Sequence, residues 1–312
     1  MLSDGSLPIS PPHRRRSAAI ETRADLWDLP PTNQTLVYPV PRGGERALKL
    51  DMIEQSLHVL KPHGTLIVLS PYDTDEFFPP VLKKVFGRVH APMEGGNKVF
   101  WCQREGERPR RRHEITYHVR VDEHTSYCFV SRPGVFGYGF CDEGARALTE
   151  LMELGAGQRV LDMGCGVGSN GILAARQIGP AGFVAFADSN VRAIALAELN
   201  AKAIGLTNFE TRASHTFTEW PDASFDVVLA NPPYYGHGSI VRLFIEQSKA
   251  LLRSGGVLYL VTKQVEATWP ILQEHFPEPE LHENRGYVVF RCTKAQGTTG
   301  EGENHSCRQP KS

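Results

Sequence analysis

The chain has 312 residues, with 34 Lys+Arg against 35 Asp+Glu and a formal net charge of −1. That length can bury one large core or two modest ones, and the near-neutral balance excludes a global basic field, so a nucleic-acid partner would have to be met by a local patch. The six cysteines show no CxxC pair and no metal-ligand spacing, no apolar run reaches the length of a membrane span, and the chain reads as a soluble cytoplasmic protein with reduced thiols.

Residues 1–34 are rich in Pro and Arg, including Arg14-Arg15-Arg16, and read as a disordered tail. Residues 35–103 alternate strand and helix signals: a strand at 36–40, then a helix at 46–60 with Leu48, Met52, Ile53, Leu57 and Leu60 on one face. A strand at 65–70, a short helix at 81–86 after Pro79-Pro80 and a strand at 98–103 follow. Arg104, Arg108, Arg110, Arg111 and Arg112 mark 104–112 as a basic linker. Alternating apolar residues over 115–121 and 127–130 form a hairpin, and a glycine-rich loop at 133–141 leads to Asp142, an N-cap for a helix to 154.

From there the pattern is regular. Strands at 159–162, 182–187, 208–212, 225–230, 256–262 and 286–292 interleave with helices at 170–178, 190–204, 239–252 and 266–276. This predicts an α/β fold with a doubly wound, mostly parallel sheet over 113–294, binding ligands outside the carboxyl ends of its strands. Residues 295–312 form a second loose end.

An internal repeat crosses these segments. Shifted by 192 positions, Ile53-Glu54-Gln55-Ser56 falls on Ile245-Glu246-Gln247-Ser248, and Leu60, Lys61, Gly64 and Leu66 fall on Leu252, Arg253, Gly256 and Leu258. Shifted by 190, Val99-Phe100 and Cys102 fall on Val289-Phe290 and Cys292. Segment 35–103 therefore reads as a truncated, degenerate copy of the later fold that begins partway through.

Four strand ends carry chemistry. After Val160-Leu161, the stretch Asp162-Met163-Gly164-Cys165-Gly166-Val167-Gly168-Ser169 is a tight turn feeding a helix N-terminus, where glycines let the backbone approach a ligand. Its G-x-G-x-G spacing puts Ser169 where a dinucleotide fingerprint needs glycine, and Asp162 two residues before Gly164 suits S-adenosylmethionine better than a nicotinamide. Asp188, 24 residues beyond Gly164, closes the next strand and can accept both ribose hydroxyls of an adenosine. Ser214 and His215 follow the third strand, at the adenine edge. Asn231-Pro232-Pro233-Tyr234 ends the fourth. Its prolines restrain the chain, so the Asn231 amide oxygen and the Pro232 carbonyl accept from an amine and turn the nitrogen lone pair toward a methyl donor, while Tyr234 stacks on the planar group.

Together these residues resemble a class I S-adenosylmethionine-dependent methyltransferase of the amino-methylating type. Arg132-Pro133-Gly134-Val135-Phe136 with Asp142 and Gly144 resembles the loop that precedes the catalytic domain in the "methyltransferase small" family. Within that family the pattern is most similar to the bacterial ribosomal RNA guanine-N2 methyltransferases, type C for the small ribosomal particle and type G for the large one. Those enzymes pair a degenerate N-terminal methyltransferase-like domain with an active C-terminal one. The resemblance implies S-adenosylmethionine held by Asp162, Gly164, Gly166, Gly168, Asp188, Ser214, His215 and Asn231. It implies methyl transfer to guanine N2 of ribosomal RNA at Asn231, Pro232 and Tyr234, with Phe136, Pro233 and Tyr234 around the base. It implies no metal and no membrane. Two departures stand out: Pro39-Val40-Pro41-Arg42 occupies the first copy's equivalent of the catalytic turn, and His215 replaces the small amide or acid usual at the adenine contact. No strong general base is evident, His237 being a weak candidate.

Three rivals are weighed. The same turn serves enzymes that methylate a release-factor glutamine, but those carry a helical N-terminal domain. A duplicated fold retained only as an RNA-binding or assembly module would not need an intact glycine turn, Asp188 and catalytic tetrapeptide. A nicotinamide oxidoreductase is disfavoured by the glycine spacing.

Overall fold

The computed structural model describes residues 21–72, 75–91, 98–109, 111–234 and 238–296. The Arg14-Arg15-Arg16 run, Arg110, His237 and residues 297–312 lie outside the described residues.

A first unit contains β1 (Asn33–Pro39), α1 (Arg46–Val59), β2 (Leu60–Ser70), α2 (Phe78–Phe86) and β3 (Lys98–Gln103). Helix α2 starts three residues earlier than the sequence analysis places it, because Pro79 and Pro80 sit in its first turn, where no N–H is required of them. A hairpin of β4 (Ile115–Arg120) and β5 (Ser126–Ser131) leads to the second unit. That unit runs α3 (Glu143–Leu151), β6 (Arg159–Met163), α4 (Ser169–Ile178), β7 (Phe183–Asp188), α5 (Val191–Ala203), β8 (Phe209–Ala213), β9 (Phe225–Ala230), α6 (Ser239–Leu251), β10 (Leu252–Thr262), α7 (Val265–His275), β11 (Glu280–Asn284) and β12 (Tyr287–Thr293).

The second unit is the expected doubly wound α/β fold. Its seven-stranded sheet has the order β11-β12-β10-β9-β6-β7-β8, parallel from β10 to β8, with β12 and β11 antiparallel. Alternate side chains of each strand face opposite cores. Val160, Val184, Phe186, Val227 and Leu229 pack with α3, α4 and α5, whereas Leu161, Met163, Ala185, Val228 and Ala230 pack with α6 and α7. Strand β11 has no counterpart in the sequence analysis. It is an edge strand whose side chains are nearly all exposed, so it carries no apolar period to read.

The first unit has the topology of the second unit's far half. β1 pairs parallel with β2 and β2 antiparallel with β3, as β9 pairs with β10 and β10 with β12. Asn33 opposes Leu60 and Thr35 opposes Thr65; Phe225 opposes Leu252 and Val227 opposes Val257, with the register shift at the same place. Arg104 Nη1 donates to the Leu60 and His58 carbonyls, and Lys294 Nζ donates to the carbonyls of Leu252 and Ala250, the residues 192 positions on.

One expectation is corrected. The disordered tail does not extend over residues 21–34: Leu26 N donates to Gln55 Oε1 (2.7 Å), Trp27 Nε1 to Asp51 Oδ1 (3.3 Å), and Trp27 stacks obliquely on His58. The linker keeps Arg108, Arg111 and Arg112 exposed, while other groups of the segment are tied down. Arg104 is buried against Leu60 and Glu107, Arg112 pairs with Asp28 (2.9 Å), and Arg111 N donates to Glu54 (3.0 Å).

The joint centres on a buried ion pair. Arg192, in the first turn of α5, donates to Asp51 of α1 (2.9 Å), to the Pro133 carbonyl (2.6 Å) and to the Ala24 carbonyl (3.0 Å). Glu45 accepts from Gly134 N (3.1 Å), and Gly134 lies against the Leu48 side chain, where a Cβ would clash. Removing one partner of a buried pair leaves the other charge uncompensated, so Arg192→Met should destabilise the protein by about 3–5 kcal/mol in chemical denaturation. Arg242→Met, at an exposed pair on α6, should cost less than about 1 kcal/mol. Equal costs would show that the joint contributes nothing special.

Candidate active site

The register of three adjacent strands builds the site. Met163 of β6 is paired on one side with Ala187 of β7 and on the other with Ala230 of β9. Gly164, Asp188 and Asn231 therefore emerge side by side from the carboxyl edge, at the switch point where open α/β sheets bind ligands. Gly164 N and Cys165 N both donate to the Ala187 carbonyl (2.8 and 2.9 Å), folding the chain back over β7.

The three glycines of the turn have distinct tasks, and all have positive φ. Gly166 faces open space, since the nearest atom to an added Cβ is the Phe136 carbonyl at 4.0 Å. Gly168 packs instead against Ala197 of α5, and Gly164 against the Phe244 ring. Asp162, expected at the methionine end of the cofactor, lies beneath the turn. It is buried, and its Oδ2 accepts from Gly171 N in α4 (2.8 Å) while Oδ1 has no protein partner. Its carboxyl ties the end of β6 to the start of α4.

Asp188 closes β7 at the edge of the glycine turn. Oδ2 accepts from Gly166 N (3.0 Å) and Oδ1 from Asn190 N (2.8 Å), so the carboxylate sets the glycine turn. Burial raises its pKa, and the backbone donors at Asn190, Gly166 and Ser189 oppose that rise. Ser214 is not arranged as an adenine contact. It is buried, donates to Glu219 (2.6 Å) and accepts from Phe217 N (2.8 Å), closing the turn after β8. His215 is exposed beside it.

The loop 133–137 lies over the turn from the other side. Asn190 Nδ2 donates to the Gly134 carbonyl (2.7 Å), which leaves Phe136 with its ring 66% exposed and its carbonyl toward Gly166. Buried Asn200 ties hairpin to turn, donating to the Val130 (3.0 Å) and Val167 (2.9 Å) carbonyls and accepting from Val130 N (2.8 Å). Sequence reasoning missed Arg192 and Asn200. A polar residue on an otherwise apolar helix face is the signal for Asn200, since such a group must find partners.

At the end of β9, Asn231 and Pro233 are half-buried, Pro232 is buried, and Tyr234 is 43% exposed. Asn231 Nδ2 donates to Asp142 Oδ2 (2.9 Å), and the same oxygen caps α3 by accepting from Ala145 N (2.9 Å). Burial holds the Tyr234 hydroxyl up at about 12, with Tyr287 and Asp142 adding to the rise, so it is a neutral phenol and no base. Lys263 Nζ sits 4.3 Å from the Tyr287 ring centroid nearby. Among the described residues no group of His, Cys, Asp and Glu is arranged to hold a metal, and no helix is long and apolar enough to cross a membrane.

The family model for the methyltransferase small domain matches residues 126–291, more than half of the chain. The chain belongs to the methyltransferase small domain family. Over 177 residues it is 36% identical to a ribosomal RNA small subunit methyltransferase C of Chromohalobacter salexigens, covering 53% of this chain and 51% of that protein. Over 187 residues it is 27% identical to a ribosomal RNA large subunit methyltransferase G of Yersinia pestis, covering 57% and 47%. The chain thus spans about half the length of these curated relatives. A solved T. thermophilus 16S rRNA N2 methyltransferase, in complex with AdoMet and guanosine, shares the fold with a TM-score of 0.69 at 24% identity, over 84% of this chain and 73% of that one.

S-adenosylmethionine is the cofactor of the methyltransferase small domain, and the residues here fit it. The open face of Gly166 lies beside the carboxylate of Asp188 and the loop carrying Phe136, and Asn231 leaves the sheet at the end of the strand adjacent to the one that feeds the turn. An alanine at Gly166 would be tolerated by the folded chain apart from about 1–2 kcal/mol for its left-handed backbone, yet its methyl would stand where the cofactor lies. Gly166→Ala should therefore weaken S-adenosylhomocysteine binding at least about tenfold in calorimetry, roughly 1.4 kcal/mol. Unchanged affinity would place the cofactor elsewhere.

A pH test follows from Asp162. Burial pushes its carboxyl up to about 7 from an ordinary 3.8, against the pull of the Gly171 N–H and with the help of Asp188. The folded state thus holds this proton more tightly than the unfolded state, a stabilisation complete below about pH 4 and lost as pH rises through about 7. Without cofactor, wild type should lose stability relative to Asp162→Asn across that window, by on the order of 4 kcal/mol. A difference independent of pH would show that the carboxyl is not raised.

Proposed function

We propose that the site transfers a methyl group from S-adenosylmethionine to the exocyclic amine of a nucleobase, guanine N2 of ribosomal RNA. The observation that carries this reading is the placement of Asn231-Pro232-Pro233-Tyr234 one strand away from the glycine turn and two from Asp188, on one sheet edge. When bound, the cofactor supplies an electrophilic methyl group on sulfur. Asp188 and the turn hold the adenosine and sulfonium region. The Asn231 amide oxygen and the Pro232 carbonyl accept the two amine hydrogens, so the nitrogen lone pair points at the methyl carbon. The N–C bond forms as the S–C bond breaks, and the proton leaves the methylated nitrogen to water. Tyr234 and Phe136, both exposed, flank the base, which in duplexed RNA must leave its stack. Because the guanine N2 lone pair is delocalised, positioning and polarisation outweigh a strong base.

The names of the relatives support ribosomal RNA as substrate. The release-factor glutamine alternative is less favoured, because the first unit is strand-containing rather than helical. The same-register pairing of β1–β2 and β9–β10 supports reading the first unit as a degenerate partial copy that binds no cofactor.

The test separates holding the cofactor from aiming the amine. With labelled S-adenosylmethionine and separate 16S and 23S RNA from cells lacking the gene, Asn231→Ala should lose about 100-fold or more in turnover while S-adenosylhomocysteine affinity stays near wild type. Tyr234→Phe should be mild and Tyr234→Ala severe. An active Asn231→Ala with a dead Tyr234→Phe would mean that the hydroxyl does the chemistry.

A further inference from the structure

The catalytic amide has two chemically opposite ends, and the amine-orienting role requires the oxygen end to face the substrate. Nothing in Asn231 itself decides this, since a rotation of about 180° about the last side-chain bond exchanges oxygen and nitrogen at almost no steric cost. Asp142 decides it. An ionised carboxylate has only lone pairs to offer, so the partner 2.9 Å from its Oδ2 must be the donor Nδ2 of Asn231. The reversed amide would set oxygen against carboxylate oxygen.

We propose that Asp142 is a positioning residue for methyl transfer: by accepting from Asn231 Nδ2 it fixes the amide with Oδ1 toward the target amine. The inference rests on the reading of Asn231 given above. The local construction agrees with it. Asp142 is itself held by capping α3 through Ala145 N, so the acceptor does not drift. Among the described residues no Lys, Arg or His forms an ion pair with it, and its charge is left to act on the amide. Gly144 leaves room for the pair, since a Cβ there would stand 2.9 Å from Asp142 Oδ2 and 3.0 Å from the Tyr287 ring. The carboxylate also polarises the amide, making Oδ1 a stronger acceptor as the amine becomes acidic during N–C bond formation. The bland reading, an N-cap and nothing more, explains the bond to Ala145 but not the second bond on the same oxygen.

Two variants separate the readings. Asp142→Ser keeps a good cap, but its shorter side chain cannot hold Asn231. Asp142→Asn can place its amide oxygen where Oδ2 now accepts from both donors, and so should rescue the orientation. With ribosomal RNA as substrate, Asp142→Ser should lower kcat by about 10–100-fold, leaving KM for RNA, S-adenosylhomocysteine affinity and thermal midpoint near wild type, while Asp142→Asn keeps most of the rate. Adding Asp142→Ser to Asn231→Ala should cause no further loss, because the one acts through the other.

Wild-type turnover in Asp142→Ser, an equal loss in Asp142→Asn, or full additivity in the double variant would each overturn the proposal. A second readout needs no substrate. In 15N spectra the Asn231 side-chain NH2 pair should move and exchange faster in Asp142→Ser, and stay close to wild type in Asp142→Asn. If wild type methylates no RNA, the proposed function fails, and the NH2 signals still decide the coupling: unchanged signals in Asp142→Ser would refute it.

Discussion

Everything at this site depends on β6, β7 and β9 ending at one level. Because Met163 is in register with both Ala187 and Ala230, the glycine turn, a carboxylate and a proline-restrained amide leave the sheet as neighbours. A slip of one residue in any of these strands would exchange its two faces, which belong to different cores, so hydrophobic packing on both sides of the sheet fixes the geometry of a polar site. The proposed chemistry needs no side chain with an unusual reactivity. It needs donors and acceptors in fixed places, which a doubly wound sheet provides.

Asp188 and Asp142 show how economically those places are used. Each carboxylate accepts a structural N–H bond, from Gly166 and Ala145 respectively, and in the proposed reaction each also serves the site, one toward the cofactor and one through Asn231. The first unit extends this bracing. Arg192 and Glu45 bind the 133–134 backbone from opposite sides, and Asn190 holds it to the start of α5, so the loop that carries Phe136 is fixed by both units at once. Separating the units would release that loop.

The fold of the second unit was legible because its parallel strands are continuous apolar runs bounded by turn residues, as in Phe225–Ala230, which is buried throughout. The positions of the glycine turn, Asp188 and Asn231-Pro232-Pro233-Tyr234 at adjacent strand ends were legible because apolar strands lead directly into them. Asp162 and Ser214 share an ambiguity: a polar residue at a strand end can face a ligand or brace the turn, and sequence spacing does not distinguish them. The contacts that tie down the 104–112 segment were not legible, since the partners Glu54 and Asp28 lie more than 50 positions away in sequence. Asp142 was legible as a cap, but its bond to Asn231 spans 89 positions and follows no local rule.

The central claim is that one cleft holds the cofactor on Asp188 and presents an amine to Asn231. A crystal structure of the protein with S-adenosylhomocysteine and guanosine tests it most directly. The account predicts the ribose hydroxyls on Asp188, the sulfur beside Gly164 and Gly166, and the guanine N2 amine within hydrogen-bond reach of Asn231 Oδ1, about 3 Å, with Nδ2 turned to Asp142. A cofactor seated on the first unit, or a guanine whose N2 lies away from Asn231 while the cofactor is in place, would contradict it.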